Sequence, residues 1–222
     1  MTSHRFNSQQ SYLSRQSNQP HIEIIEYDDI RASFQITYSG NLINVRESEG
    51  NLIFNLRIVN NSIWSEGLSL RSGRYSGTQY MELYLEFCDR HNVSTIILHD
   101  NSQVLVNHRE VSLRILRMFQ GQGSWYENFG FTYYNVERMR AIEFSIRETN
   151  IEILELEEYE TPEFISTIKL LQIKTLGQFM SWLLLYDTRR YVEVIDWLLE
   201  SDNPIHDEFS YWLKNNQMRL QR

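Results

Sequence analysis

The hydrophobic period of this chain changes abruptly between residues 70 and 78. From His21 to Leu70 apolar residues alternate or run in short segments, Ile22 to Tyr27, Ser33 to Tyr38, Leu42 to Arg46, Asn51 to Val59 and Ile63 to Leu70. A period of two with β-branched and aromatic residues is the signature of strands. Ser39-Gly40-Asn41 and Glu49-Gly50-Asn51 separate them as hairpin turns, where glycine supplies positive φ. The segment therefore predicts an antiparallel meander. From Thr78 to Asn92 the spacing becomes helical, with Tyr80, Leu83, Tyr84, Phe87 and Cys88 on one face and Glu82, Glu86, Asp89 and Arg90 elsewhere. Strands followed by helices predict an α+β chain.

Beyond Asn92 the pattern predicts a buried strand over Val93 to Leu98 and a helix over Arg109 to Gln120, ended by Gly121-Gln-Gly123. Phe129 to Val136, Ala141 to Ile146 and Ile151 to Leu156 read as three further strands. Eight glutamates lie between Glu143 and Glu163, the pattern of a solvated face, and the composition shifts near Tyr159. After it the chain reads as helical. Thr161-Pro162-Glu163 is a helix start, Thr175 with Gln178 fits a capping box, and Asn203-Pro204 opens the last helix. Residues 1–20 are rich in Ser, Gln and Asn and predict a disordered tail. The expected organisation is thus a tail over 1–20, an α+β domain over 21–158 and a helical region over 159–222.

Charge and cysteine content narrow the function. Twenty-one Lys and Arg against 29 Asp and Glu give a net charge of −8, and the 18 arginines are scattered rather than gathered in a stripe. Phosphate neutralisation dominates nucleic-acid affinity, so no nucleic-acid partner is expected. The single cysteine, Cys88, excludes an internal disulfide and fits a reducing interior. It lies on the apolar stripe of its helix and reads as core. His91, His99 and His108 recur every nine residues, which shares neither a helix face nor a strand face, so no metal site is expected. His99, Asp100 and Ser102 lack a nucleophile elbow. The longest apolar run, Phe179 to Tyr186, is too short to cross a bilayer. A soluble intracellular protein without a membrane partner is the expectation.

The loop Arg71-Ser-Gly-Arg74-Tyr-Ser-Gly77-Thr-Gln79 precedes the helix. A helix N-terminus offers free N–H groups and a positive dipole end to an anion, and Arg71 and Arg74 add charge. Gly/Ser turns also start many helices for conformational reasons alone. Arg74-Tyr75-Ser76-Gly77-Thr78-Gln79 resembles the Q/R-x-x-G-x-G/A pyrophosphate loop of the GNAT N-acetyltransferases. Ser124-Trp125-Tyr126-Glu127-Asn128-Phe129-Gly130-Phe131 resembles that family's Y-x-x-x-G-F signature, where a helix ends and a strand begins. The resemblance spans about residues 50–147 and extends to GNAT-like proteins of large DNA viruses, for which the compartment would be the host cytoplasm. It implies a mixed, mostly antiparallel sheet flanked by helices, followed here by a C-terminal helical extension.

The resemblance further implies an N-acetyltransferase using acetyl-CoA as co-substrate, without a metal, that moves the acetyl group directly to a small-molecule or protein amine. Strands near Glu66 to Leu70 and Thr95 to Leu98 would splay to admit pantetheine, with Leu68 and Leu70 offering backbone groups. Arg71, Arg74, Tyr75, Ser76, Gly77, Thr78 and Gln79 would hold the pyrophosphate. Glu66 is the candidate base, and also reads as a solvent-facing residue before Gly67. Tyr126 matches the family's tyrosine that protonates the departing thiolate, and also reads as a core-edge aromatic beside Trp125. Two departures bear on activity. Gln79 stands where the family has a small residue, and Tyr27 to Ser33 leaves no room for the usual pair of acceptor-side helices. The alternative is a catalytically silent domain of the same fold that works through a protein partner or a second copy at its C-terminal helices, where Trp182, Trp197 and Trp212 serve packing.

Overall fold

The computed structural model describes residues 20–60, 62–71, 73–154, 167–200 and 203–222. The helix start expected at Thr161 and nearly all of the tail expected over 1–20 lie outside them. The chain separates into two compact units, one of residues up to His99 together with Arg219–Arg222, the other Asp100–Met218. The compositional shift near Tyr159 falls inside the second unit. The class is α+β with a mostly antiparallel sheet and helices toward the C-terminus.

The first unit is the expected meander. β1 (His21–Tyr27), β2 (Ile30–Ser39), β3 (Leu42–Glu47), β4 (Leu52–Val59) and β5 (Ser62–Leu70) pair antiparallel in chain order. Gly40 and Gly50, both at positive φ, turn two of the hairpins as the sequence predicts. α1 (Gly77–Arg90) then carries the chain across to β6 (Val93–His99), which runs parallel to β5. A parallel neighbour needs such a crossover, because a tight turn can only reverse the chain. Alternate residues of β2, Ile30, Ala32, Phe34 and Ile36, are buried, with Val45, Phe54 and Leu56 from neighbouring strands. The α1 stripe packs on them edge to face. Phe54 meets Tyr84 at 4.7 Å and Phe87 at 5.0 Å, and Phe34 meets Phe87 at 5.4 Å. Such ring pairs add to the burial that holds helix to sheet. Ser65 and Tyr84 share a buried hydrogen bond of 2.5 Å, so both hydroxyls are satisfied. Cys88 is fully buried, and burial pushes its thiol far up, consistent with a core role.

The second unit departs more from expectation. Residues Arg109–Ser112 are not helical but form β8, paired with β7 (Gln103–Val106) around Asn107 and His108, both at positive φ. Asn and His at consecutive left-handed positions make a two-residue hairpin turn without glycine. The helix α2 begins only at Leu113 and runs to Phe119. The strand expected over Phe129 to Val136 shrinks to β9 (Thr132–Tyr133), and the one expected over Ala141 to Ile146 is helix α3 (Val136–Glu148). Ile151–Leu154 is a short 3₁₀ turn rather than a strand.

Then follow α4 (Leu176–Tyr186), α5 (Thr188–Leu198), α6 (His206–Lys214) and β10 (Gln217–Gln221). The Thr175/Gln178 capping box expected at the start of α4 is present. Asn203 sits at a joint rather than at the start of the last helix. Its buried amide nitrogen donates toward the carbonyls of Trp197, Leu198 and Glu200 at the end of α5, and its Oδ1 accepts the Ile205 N–H. Asn203→Ala strands those groups, so a loss of about 2–3 kcal/mol is expected in urea unfolding, against less than about 1 for an exposed site.

Candidate functional site

The β4–β5 ladder slips by one residue. Leu68 faces Phe54 and Glu66 faces Asn55, which leaves Gly67 without a partner at φ +77°. That is a bulge with glycine in the left-handed region, where a side chain would be strained. The parallel β5–β6 ladder ends at the same place, on Glu66 opposite Ile97. β5 continues to Leu70 and β6 to His99 without further pairing between them. The half-buried Leu68 and Leu70 therefore lie beyond the last pair.

Glu66 lies beside Arg57 of β4, at 3.4 Å, with over a third of its side chain exposed. Gly73 to Gln79 fold back toward β2. The Tyr75 hydroxyl donates to the Arg31 carbonyl at 2.8 Å and accepts the Arg31 N–H at 3.3 Å. Its ring meets Tyr80 at 5.5 Å, and the exposed Arg74 guanidinium lies over it at 5.3 Å. The Arg71 N–H bonds the Asn51 carbonyl, while its side chain is exposed.

At the mouth of α1 a closed capping box is found. Ser76 Oγ accepts the Gln79 N–H at 3.2 Å, and Gln79 Oε1 accepts the Ser76 N–H at 2.9 Å. Two amides expected to grip a diphosphate are thus bonded by the chain itself, and Gln79 is the residue that reaches back. The exposed Gly77 and Thr78 occupy the first turn between them, and no acid stands there. The sequence marks Gln79 only as a departure from the small residue of the family pattern. The pattern Ser-x-x-Gln was already legible as a capping box, the same pattern as at Thr175.

Tyr126 belongs to the second unit, whereas Glu66 and the loop belong to the first. The signature region is not a helix end but a 3₁₀ turn, Trp125–Phe129, closed by Gly130 at φ +86°. Ser124 caps it by accepting the Tyr126 N–H and donates to Asp100 at 2.5 Å; Ser102 donates to the other Asp100 oxygen at 2.6 Å. Asp100 is thus a buried carboxylate that holds the turn carrying Tyr126, a role the strand-end position did not signal. Burial, with the Asp100 charge behind it, pushes the Tyr126 hydroxyl up to about 12. Proton transfer from such a phenol to a thiolate of ordinary basicity is uphill by roughly 5 kcal/mol.

The remaining histidines and carboxylates form no metal cluster of three among the described residues. No described helix is long and apolar enough to cross a membrane. No family model, curated protein or solved structure matches this chain.

Proposed function

We propose that this chain is a catalytically silent domain of acetyltransferase-like fold that works by binding a protein partner through its C-terminal helices. The observation that carries this reading is the closed Ser76–Gln79 box, which uses the amides an acyl-CoA diphosphate needs. Tyr126, raised to about 12, points the same way, since such a phenol gives up its proton reluctantly to a departing thiolate. For the binding role, α4 ends on Leu185 and Tyr186, 76% and 74% exposed, with the Tyr186 ring against half-buried Trp182 at 5.9 Å. Spaced i, i+3 and i+4, these three share one helix face, the form of an apolar anchor.

The transferase itself is the second reading, favoured by the ladder that ends at Glu66 and Ile97. A titration with acetyl-CoA separates the two, because a ligand that binds only the folded state raises the melting temperature. The expected result is no shift at millimolar acetyl-CoA and no turnover with amines. A clear shift in the wild type that Arg74→Glu abolishes overturns the silent reading in favour of the enzyme.

A further inference from the structure

The sheet of the first unit ends on β1, whose one strand neighbour among the described residues is β2. Asp28 and Asp29 form the two-residue turn between them, so Tyr27 and Ile30 close the hairpin as a hydrogen-bonded pair. Bonded pairs then recur at every second residue, Ile25 with Ala32 and Glu23 with Phe34. Ile22, Ile24 and Glu26 therefore turn their N–H and C=O groups away from β2. Exposed apolar side chains go with them, for Ile22 is 65% and Ile24 45% exposed. A row of free donors and acceptors flanked by β-branched side chains is a template for another strand. One side chain lies across that row. Arg90, in the last turn of α1, donates through Nη1 to the Ile24 carbonyl at 3.4 Å and through Nη2 to the Glu26 carbonyl at 3.2 Å. Its Nε donates to Glu86, one helical turn back, at 2.8 Å, which aims the guanidinium at the edge.

The strand that fits this edge is a second β1. The outward groups of Ile22, Ile24 and Glu26 are symmetric about Ile24, so an antiparallel copy related by a two-fold axis sets Ile24 opposite its own counterpart and Ile22 opposite Glu26. Glu23 then faces Ile25 and His21 faces Tyr27, so no like charges meet. The isoleucines of both copies share the exposed side of the joined sheet. In this register the carbonyls of Ile24 and Glu26 accept from the second strand, and these are the two that Arg90 holds. An arginine that merely braced the helix would need no more than Glu86 and water. Exposed hydrogen bonds exchanged with water add little stability, so what the Arg90 contacts gain is occupancy of the edge. We propose that Arg90 guards β1, lying across it where the next strand would sit and keeping two copies of this chain from joining their sheets edge to edge.

Light scattering of the whole chain over a concentration series tests this. Arg90→Ala is expected to associate one step beyond the wild type, doubling its mass at concentrations up to about 1 mM. Adding Ile24→Lys to Arg90→Ala sets two ammonium groups against each other across the two-fold axis, and is expected to restore the wild-type mass. The device is independent of the partner surface on α4, because association through α4 persists with Ile24→Lys. Should Arg90→Ala not fold, Glu86→Ala carries the test. A guanidinium released from Glu86 covers the edge less well, so a smaller shift of the same sign is expected. An unchanged mass in Arg90→Ala, or in Glu86→Ala where that variant carries the test, overturns the proposal. So does an association that Ile24→Lys leaves intact, or a wild type that Ile24→Lys by itself dissociates.

Discussion

Replacing Trp212 with alanine is expected to cost the second unit about 5 kcal/mol, the whole stability of a domain at the low end of the usual range. Trp212 is fully buried in α6. Its indole N–H donates to Glu143 of α3 at 3.1 Å, and the Arg114 guanidinium of α2 lies 3.8 Å from its ring centre. Arg114 is itself 2% exposed, bonded through Nε to the Tyr133 hydroxyl at 3.0 Å, with one terminal nitrogen unsatisfied. Deleting the indole therefore does three things at once. It opens a large cavity, strands a buried carboxylate oxygen and leaves a buried cation without the ring that offsets its desolvation. Phenylalanine at the same place keeps a ring under Arg114 and loses mainly the hydrogen bond, an expected cost of about 1–3 kcal/mol. Urea unfolding followed by circular dichroism separates the two. A Trp212→Ala variant within about 1 kcal/mol of wild type would show that the Arg114 cluster is not what holds α2, α3 and α6 together.

The same cluster shows what a sequence can and cannot disclose. The first unit was legible because its strands alternate over glycine-marked turns and α1 keeps one apolar stripe, so a single local period decided each element. In α3 the local period misled. Ile142, Phe144 and Ile146 alternate like a strand, yet the helix buries Met139, Glu143 and Ile146 and leaves Phe144 64% exposed. A glutamate was the buried position, and its place depends on Trp212, 69 residues further along the chain, as well as on the local Arg140. The hairpin at Asn107 and His108 was hidden for a related reason, since neither residue is glycine. The loop does precede the helix, but the capping box bonds two of its amides within the chain.

Acidification is expected to weaken the first unit through His91, by about 3 kcal/mol between pH 6.5 and pH 4. His91 ends α1, nearly buried, with its ring stacked on Phe87 at 4.2 Å and its Nε2 2.8 Å from Glu23 of β1. Burial lowers the imidazole to about 4 from an ordinary value of 6.5. In that interval the unfolded chain binds the proton and the folded chain does not, so unfolding takes up a proton and stability falls as pH falls. The contribution is whole above 6.5 and is lost on the way down to about 4. Glu23 works against it. Burial raises its carboxyl, more than Arg90 and His21 lower it, so the folded state takes up that proton first and gains stability on acidification. The histidine effect sets in as the pH falls through 6.5, and the Glu23 uptake subtracts from it. His91→Gln keeps a donor toward Glu23 but removes the titration. Urea midpoints at stepped pH should therefore fall steeply in the wild type and much less in the variant, whatever the variant loses in absolute stability from the missing ring stack. Parallel slopes in the two proteins would place the acid sensitivity elsewhere and remove His91 as its cause.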